Sequence, residues 1–207
     1  MDWLNSSEHQ EFEHIVGLLK HLRLHWLLRH FPPRIVHAGY MLLAGFVTVA
    51  ILALLAFATS NPFVFPSIGP TAYLFFFTPM AKTASPRNAI LGHAIGLLCG
   101  YGALRVTGAH FSSVAAHPVI YWPLIFSAAL SLSVTGAVMI LLRVSHPPAG
   151  ATTLIVSLGL ISRPRDLVIL EIAVIVLTAL AFGINRLAGL DYPVWRPRPA
   201  ISADKMS

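Results

Sequence analysis

Long apolar runs, separated by short segments that hold most of the charged residues, cover much of the chain. The runs at 37–57, 87–106, 118–143 and 166–186 are each close to the ~20 residues that a helix needs to cross the hydrocarbon core of a bilayer. The pattern therefore predicts an uninterrupted membrane-spanning helix in each of these ranges.

Prolines interrupt two further apolar runs. The run at 61–77 holds three prolines in its first ten residues, and the run at 145–161 opens on Ser-His-Pro-Pro. Proline is tolerated in the first turn of a helix but breaks a helix interior. We therefore predict that the first run is extended to its middle and helical from about Pro70, and that a new helix starts at about Pro148.

The two halves of the chain repeat each other weakly. Segments 68–74 and 149–155 share a glycine and a threonine at matching positions, and segments 86–88 and 164–166 share Pro-Arg at the start of the following apolar run. Each half then consists of a span, a broken span and a span. An odd number of crossings makes the second unit inverted relative to the first, which is a recurring plan in transporters.

The predicted fold is an all-α integral membrane protein with six spans in two inverted three-span repeats, whose second and fifth spans are broken into half-helices. The repeats occupy 35–107 and 118–190 within a membrane domain at 35–190. Residues 191–207 are predicted to form a short cytoplasmic tail.

Residues 1–34 are predicted to form a separate amphipathic element. Apolar residues recur at helical spacing across 6–30, opposite basic residues, and Phe-Pro-Pro-Arg at 31–34 ends the pattern. Such a helix either lies on the membrane surface or packs on loops of its own protein, and the sequence leaves both interpretations open.

Composition and charge agree with a membrane protein. The 207 residues are 56% hydrophobic and 11% charged, and the single cysteine, Cys99, permits no disulfide within one chain. The net charge of +6 is spread over the ends of the apolar runs, which suits membrane topology better than nucleic-acid binding. With both termini in the cytoplasm, only Arg105, Arg163 and Arg165 of the fourteen basic residues lie outside. That distribution favours six spans over a four-span scheme with two re-entrant hairpins.

The two breaks are the candidate binding site for a small anion, because the N-terminus of a helix is positive and presents backbone N–H groups. The candidate substrate-binding residues there are Ser67, Gly69, Thr71, His146, Pro147, Pro148, Gly150, Thr152 and Thr153. An ionisable residue between apolar runs is a functional hypothesis in itself, and His146 could pair with the anion or carry a proton. Alternatively, His146 caps a helix at the interface, and the threonines bond to their own helix backbone.

Further candidates lie on the third and sixth spans. Arg87 and Asn88 open the third span, and Arg87 is either a gate or selectivity charge or an interfacial topology charge. His93 lies within this span and needs a partner or a cavity. Glu171 is expected to pair with Arg163 or Arg165, or to reach the surface. Glycines at 92, 96, 100 and 102 are predicted helix-packing positions.

Four segments resemble the HPP family of integral membrane proteins, which takes its name from a His-Pro-Pro triplet. They are Ser-His-Pro-Pro-Ala-Gly-Ala-Thr at 145–152, Phe-Pro-Ser-Ile-Gly-Pro-Thr-Ala at 65–72, Pro-Arg-Asn with Gly-His within 86–93, and Asn-Arg at 185–186. Plant and cyanobacterial members are associated with nitrite transport, so the resemblance implies a transporter or channel for a small monovalent inorganic anion. The implied location is a bacterial inner membrane.

Two departures from the family pattern accompany the resemblance. Ser85 stands where Gln is expected before Pro-Arg-Asn, which weakens the transfer of that site. The chain also ends soon after the sixth span, and we therefore expect no control by adenine nucleotides through appended domains.

Two other functional classes, an enzyme and a non-transporting membrane protein, are the alternatives to transport. An enzyme is disfavoured because the ten histidines include no His-Glu-x-x-His helix, and Gly-x-Ser-x-Gly is also missing. No metal or other cofactor is expected. A non-transporting membrane sensor or subunit that binds an ion or a partner is the alternative, since it needs the same site. The many small residues also permit a homo-oligomer.

Overall fold

The computed structural model describes residues 23–109, 113–114, 117–118 and 121–197. The helices are α1 (Leu24–His30), α2 (Pro33–Thr59), α3 (Ile68–Phe77), α4 (Pro86–Thr107), α5 (Trp122–Leu141), α6 (Ala149–Ser157) and α7 (Pro164–Leu187). A 3-10 turn occupies Lys82–Ala84, and two short antiparallel strands, β1 (Ser113–Val114) and β2 (His117–Pro118), lie between α4 and α5.

Within the described residues, α2, α4, α5 and α7 are the helices long and apolar enough to cross a membrane. They coincide with the four uninterrupted runs, and each has a proline in its first turn, where the missing N–H costs nothing. The predicted ends differ by up to four residues; α2 begins at Pro33 rather than at residue 37, and α5 begins at Trp122 rather than at 118. The protein is an integral membrane protein of helical fold.

The two broken runs each form one half-length helix. Helix α3 has ten residues and starts at Ile68, two residues before the predicted Pro70, which occupies its first turn. Helix α6 has nine residues and starts directly after Pro148. At 1.5 Å per residue each is about 15 Å long or less, roughly half the thickness of a bilayer core.

Hydrogen bonds and close contacts between elements give the directions of the helices. The Tyr40 hydroxyl donates to Asn185 Oδ1, and Arg165 donates to Asn61 Oδ1, so α2 and α7 are antiparallel. The Phe75 carbonyl accepts from Asn185 Nδ2, so the C-terminal end of α3 lies on the side where α2 begins. We call that side of the bundle the Pro33 side.

Helices α2, α3 and α7 form one group of packed helices, and α5 and α6 form a second group around α4. The Arg87 guanidinium, at the start of α4, donates to the carbonyls of Leu142 and Arg143, so α4 and α5 are antiparallel. Successive glycines of α4 approach successive turns of α6, so α6 runs parallel to α4. The Arg87 amide donates to the carbonyl of Trp195, which follows the end of α7, so α4 begins on the Pro33 side and α6 runs away from it. Helices α3 and α6 thus extend toward opposite sides, and their N-terminal ends lie inside the bundle.

A glycine strip on α4 allows the close approach of α6. A Cβ atom at Gly92 would lie 2.8 Å from His146 Cβ, one at Gly96 would lie 2.8 Å from the Ala149 carbonyl oxygen, and one at Gly100 would lie 2.7 Å from the Thr153 carbonyl oxygen. The packing role predicted for these glycines is confirmed. At Gly102 an added Cβ meets nothing within 4 Å, so the same prediction is wrong there.

Asn185 joins three elements in the core. Its side chain is fully buried, accepts from Tyr40 at 2.7 Å, and donates to the carbonyls of Phe75 at 3.2 Å and Ala181 at 2.8 Å. In a membrane an unpaired backbone carbonyl or hydroxyl has no water to bond to. Asn185 therefore holds the C-terminal half of α3 against α2 and α7.

We expect Asn185→Leu to lower the free energy of unfolding by about 1–3 kcal/mol, because it leaves the Tyr40 hydroxyl and the Phe75 carbonyl without a partner. Tyr40→Phe removes one hydrogen bond and leaves only the Asn185 side-chain oxygen without a partner, so it should lower the free energy of unfolding by less. Unfolding in detergent micelles measures both. An Asn185→Leu protein at least as stable as Tyr40→Phe contradicts this role.

The segments that flank the spans pack back onto the Pro33 side. The Leu24 amide donates to the Ala188 carbonyl at 2.9 Å, so the described end of the N-terminal helix contacts its own protein; the rest of the predicted helix, at 6–22, lies outside the described residues. The Tyr192 hydroxyl donates to the Ala84 carbonyl. Burial, with the neighbouring Tyr40 phenol as a second cause, raises the pKa of the Tyr192 phenol, which therefore stays protonated and keeps this bond.

Candidate functional site

A buried polar cluster lies where α3 and α6 begin. The Thr71 hydroxyl oxygen is 2.8 Å from Nε2 of His93 on α4 and 3.2 Å from Nε2 of His146, which precedes α6. The centroids of the two imidazole rings are 5.0 Å apart, and all three side chains are at most 1% exposed. We call these three residues the His–Thr–His cluster.

The other nitrogen of each ring is also bonded. His93 Nδ1 lies 2.7 Å from the Thr152 hydroxyl on α6, and His146 Nδ1 lies 2.7 Å from the Thr83 carbonyl oxygen. Thr83 belongs to the 3-10 turn that Tyr192 contacts through Ala84. The cluster therefore connects α3, α4, α6 and the 3-10 turn through hydrogen bonds alone.

Ser67 is the candidate ligand whose side chain is still available to form a hydrogen bond. It directly precedes α3, its side chain is fully buried, and its hydroxyl has no hydrogen-bond partner among the described residues. Its carbonyl oxygen lies 3.1 Å from the Thr71 hydroxyl oxygen, within hydrogen-bond distance. A buried hydroxyl without a partner is costly, so an anion that accepted from Ser67 would recover that cost.

The backbone at the two helix starts differs. The amides of Ala149, Gly150 and Ala151 donate to the carbonyls of residues 146–148. The prediction that the start of α6 presents free N–H groups is therefore wrong for these three residues. At the start of α3 the Ile68 amide also donates, to the Phe65 carbonyl at 2.9 Å, and Pro70 has no N–H, but Gly69 is exposed and an added Cβ there meets nothing within 4 Å. The first turn of α3 is thus the more open of the two.

The remaining candidates of the His-Pro-Pro segment have structural contacts. Pro148 is buried and Pro147 exposed, immediately before α6. Thr153 donates to the Ala149 carbonyl at 3.0 Å and lies 3.0 Å from the Thr135 hydroxyl on α5. Gly150 is partly buried, and a Cβ there would contact Leu132 at 3.4 Å. These contacts belong to the packing of α6, whereas Thr152 faces the cluster.

Arg87 and Asn88 lie on the Pro33 side, and within the described residues they form no hydrogen bond to the His–Thr–His cluster. Arg87 donates to the carbonyls at the end of α5 and to Asn88 Oδ1, and Asn88 Nδ2 donates to the Lys82 carbonyl at 2.9 Å. Cationic groups near the C-terminal end of a helix are favourable. Both residues therefore hold the 3-10 turn and α5 in place around the cluster.

Glu171 does not form the expected ion pair. Both of its carboxyl oxygens are buried and have no hydrogen-bond partner among the described residues, and Arg165 donates to Asn61 instead. The prediction that Glu171 pairs with an arginine or reaches the surface is therefore wrong.

Sequence reasoning missed several of the contacts around the cluster. The bond between His146 and Thr83 uses a backbone carbonyl, which no residue type in the sequence indicates. The bond from Tyr192 to Ala84 comes from a segment that was predicted to be a tail. Tyr40 and Asn185 could have been found, because polar residues inside apolar spans need partners. Among the described residues, no three His, Cys, Asp or Glu side chains are placed to hold a metal ion.

Comparison with known proteins gives one family and two relatives. The family model for the transmembrane region of HPP proteins matches residues 31–193. Two proteins of Dictyostelium discoideum, each called only a transmembrane protein, are similar: one is 29% identical over 64% of this chain and 45% of its own length, the other 32% identical over 56% and 36%. The chain spans less than half the length of either relative. No solved structure matches it.

Proposed function

The chain belongs to the HPP transmembrane family, and we propose that it is a membrane transporter or channel for a small monovalent inorganic anion, with nitrite as the first candidate. One observation carries the proposal: two half-length helices begin inside a membrane bundle, at one buried cluster of histidine and threonine side chains. Non-helical backbone inside a membrane is tolerated only where protein or a watery cavity surrounds it. Transporters use such breaks to bind substrate near the midplane.

The proposed architecture has six crossings. Helices α2, α3 and α4 form one unit and α5, α6 and α7 form the other, with α3 and α6 completing their crossings through non-helical segments. The opposite directions of α3 and α6 support an inverted relation between the units. With most basic residues on the Pro33 side, the proposal places that side and both termini in the cytoplasm, in a bacterial inner membrane.

The proposed anion position is the first turn of α3. This turn has the partial positive charge of a helix N-terminus, the unpartnered hydroxyl of Ser67, and the open backbone at Gly69. Thr71 lies one turn further and joins the turn to both histidines. A monovalent anion such as nitrite would place one negative charge against this partial positive charge.

The second candidate function is an ion-binding sensor or subunit that does not transport. The observation that favours it is that all four ring nitrogens of the two histidines are already bonded within the protein, which suits a stable regulatory site.

Nitrite flux into proteoliposomes tests the proposal, with chloride and nitrate as competing anions. We expect saturable nitrite flux, reduced about tenfold or more by His146→Ala, because the variant leaves Thr71 and the Thr83 carbonyl without their buried partner. His37→Ala is the matched control: His37 is exposed on α2, so its removal should leave the flux unchanged.

The outcomes separate the two functions. Flux of one anion above that of empty liposomes supports transport and identifies the substrate. If folded protein passes none of these anions but binds nitrite, measured by its effect on thermal stability, the sensor or subunit takes the place of the transporter.

A further inference from the structure

The hydrogen bonds of the cluster define the protonation of both rings. The Thr83 oxygen is a carbonyl and can only accept, so His146 Nδ1 must carry a hydrogen. In a neutral ring His146 Nε2 then accepts, and the donor at 3.2 Å is the Thr71 hydroxyl. Thr71 must in turn accept from His93 Nε2, which leaves His93 Nδ1 to accept from Thr152.

This neutral arrangement is the one in which all four contacts of the ring nitrogens are hydrogen bonds; the Thr71 hydrogen is then donated to His146 and not to the Ser67 carbonyl. A hydroxyl has one hydrogen, so Thr71 cannot donate to both histidines. If Thr71 donated to His93 instead, its oxygen and His146 Nε2 would both be acceptors facing each other. The cluster is thus a directional chain that runs from the Thr152 hydroxyl to the Thr83 carbonyl.

The cluster also has a complete arrangement with one additional proton. A proton on His146 Nε2 turns that nitrogen into a donor, and Thr71 then accepts from both rings. The Thr71 hydrogen needs a new acceptor, and the Ser67 carbonyl lies 3.1 Å away. Rotation of one hydroxyl therefore converts the neutral arrangement into the charged one without the loss of a hydrogen bond.

A second proton has no such arrangement. It would have to bind His93 Nδ1, turn the Thr152 hydroxyl into an acceptor, and place two positive rings with centroids 5.0 Å apart in a buried site. The two rings therefore accept protons as one coupled pair.

Within the described residues, the other ionisable groups on the surrounding elements form no hydrogen bond to the two imidazoles, because they are exposed, are bonded to other groups or lie at a different height along their helix. They are Tyr73 on α3, Arg87 on α4, Lys82 next to Thr83, Arg143 before His146, Glu171 on α7, and Tyr192. Tyr73 and Lys82 are exposed, Arg87 is bonded to the end of α5, and Tyr192 is bonded to Ala84. No hydrogen bond joins any of these side chains to the two imidazoles in the described part of the chain.

We propose that the His–Thr–His cluster binds a single proton that travels with the anion, so that the protein is a proton–anion symporter with a stoichiometry of one to one. This inference rests on the proposed transport of an anion. Thr71 lies in the first turn of α3, and in the protonated arrangement its hydroxyl donates to the carbonyl of Ser67, whose own hydroxyl is the proposed anion donor. Protonation thus places a positive charge on a ring that contacts Thr71, in the same turn as the proposed anion donor, and the loaded site has no net charge in a medium of low dielectric constant.

Solid-state nitrogen NMR of histidine-labelled, full-length protein in lipid bilayers tests the proton site without any flux. His93→Ala and His146→Ala assign the two rings. At high pH we expect His93 to carry its hydrogen on Nε2 and His146 on Nδ1. On acidification one ring of the pair should become doubly protonated while the other stays neutral. Two rings of the same tautomer, or two rings that charge together, would overturn the inference.

Flux tests the coupling. In proteoliposomes that contain a pH-sensitive dye, we expect one proton to enter with each nitrite, and an inward proton gradient to drive nitrite uptake several-fold above the rate without a gradient. Nitrite flux without proton entry overturns the symport inference and leaves the proposed transport intact. If no anion moves, the proposed function and the coupling fail together, and the NMR result still decides whether the cluster is a one-proton site.

Discussion

Replacement of Gly96 by alanine is expected to lower the free energy of unfolding by about 1–3 kcal/mol and to reduce flux about tenfold or more. The added Cβ would lie 2.8 Å from both the Ala149 carbonyl oxygen and the Thr153 hydroxyl. A carbonyl of the helix backbone cannot rotate away, so α6 has to move as a body. Its movement displaces Thr152, which bonds to His93.

Gly102→Ala is the control for this variant. It lies on the same helix, and an added Cβ there meets nothing within 4 Å. Alanine is the better helix former by about 1 kcal/mol, so Gly102→Ala should be as stable as the natural protein or slightly more so. Thermal unfolding in detergent and nitrite flux measure both variants. Equal stability of the two variants would show that α4 and α6 do not pack this closely.

The spacing of these glycines shows how far sequence reasoning extends. Gly92, Gly96 and Gly100 recur every four residues and so lie on one face of a helix, which is the pattern of close helix packing in membranes. Gly102 breaks that spacing, and the structure places it off the contact. Periodicity, rather than residue type, was the reliable signal.

Proline was equally informative about the breaks. The positions of the half-helices followed from the prolines before Thr71 and before Ala149, with the start of α3 misplaced by two residues because Pro70 fits inside a first turn. The chain pattern also placed histidines where an apolar span should have had none. From these features the sequence predicts where the polar site lies.

The hydrogen-bond partners within the site could not be predicted. Thr71 bonds to residues 22 and 75 positions away in the chain, and His146 bonds to a carbonyl 63 positions away. Such partners depend on how helices rotate and slide against each other, which a single sequence does not define. The same limit explains why Glu171 was given an arginine partner that bonds to Asn61 instead.

Thr71→Val is expected to have the second large effect. Valine has nearly the volume of threonine but no hydroxyl, so Nε2 of His93 and Nε2 of His146 both lose their partner. Each buried polar group without a partner costs about 1–3 kcal/mol. We therefore expect a loss of stability of this order or more, and a fall of nitrite flux by at least tenfold, because the proposed anion site and both rings share this one hydroxyl.

Two further variants separate the hydroxyl from the shape of the side chain. Thr71→Ser keeps the hydroxyl and should recover most of the stability and flux. Thr178→Val removes a hydroxyl that is also buried, but whose described bond is to the Val174 carbonyl of its own helix, so it should cost little. If Thr71→Val were as mild as Thr178→Val, the contacts between Thr71 and the two histidines would not contribute to stability. The two imidazoles would then have to find their hydrogen bonds independently of each other, and no single hydroxyl could link the proton to the anion.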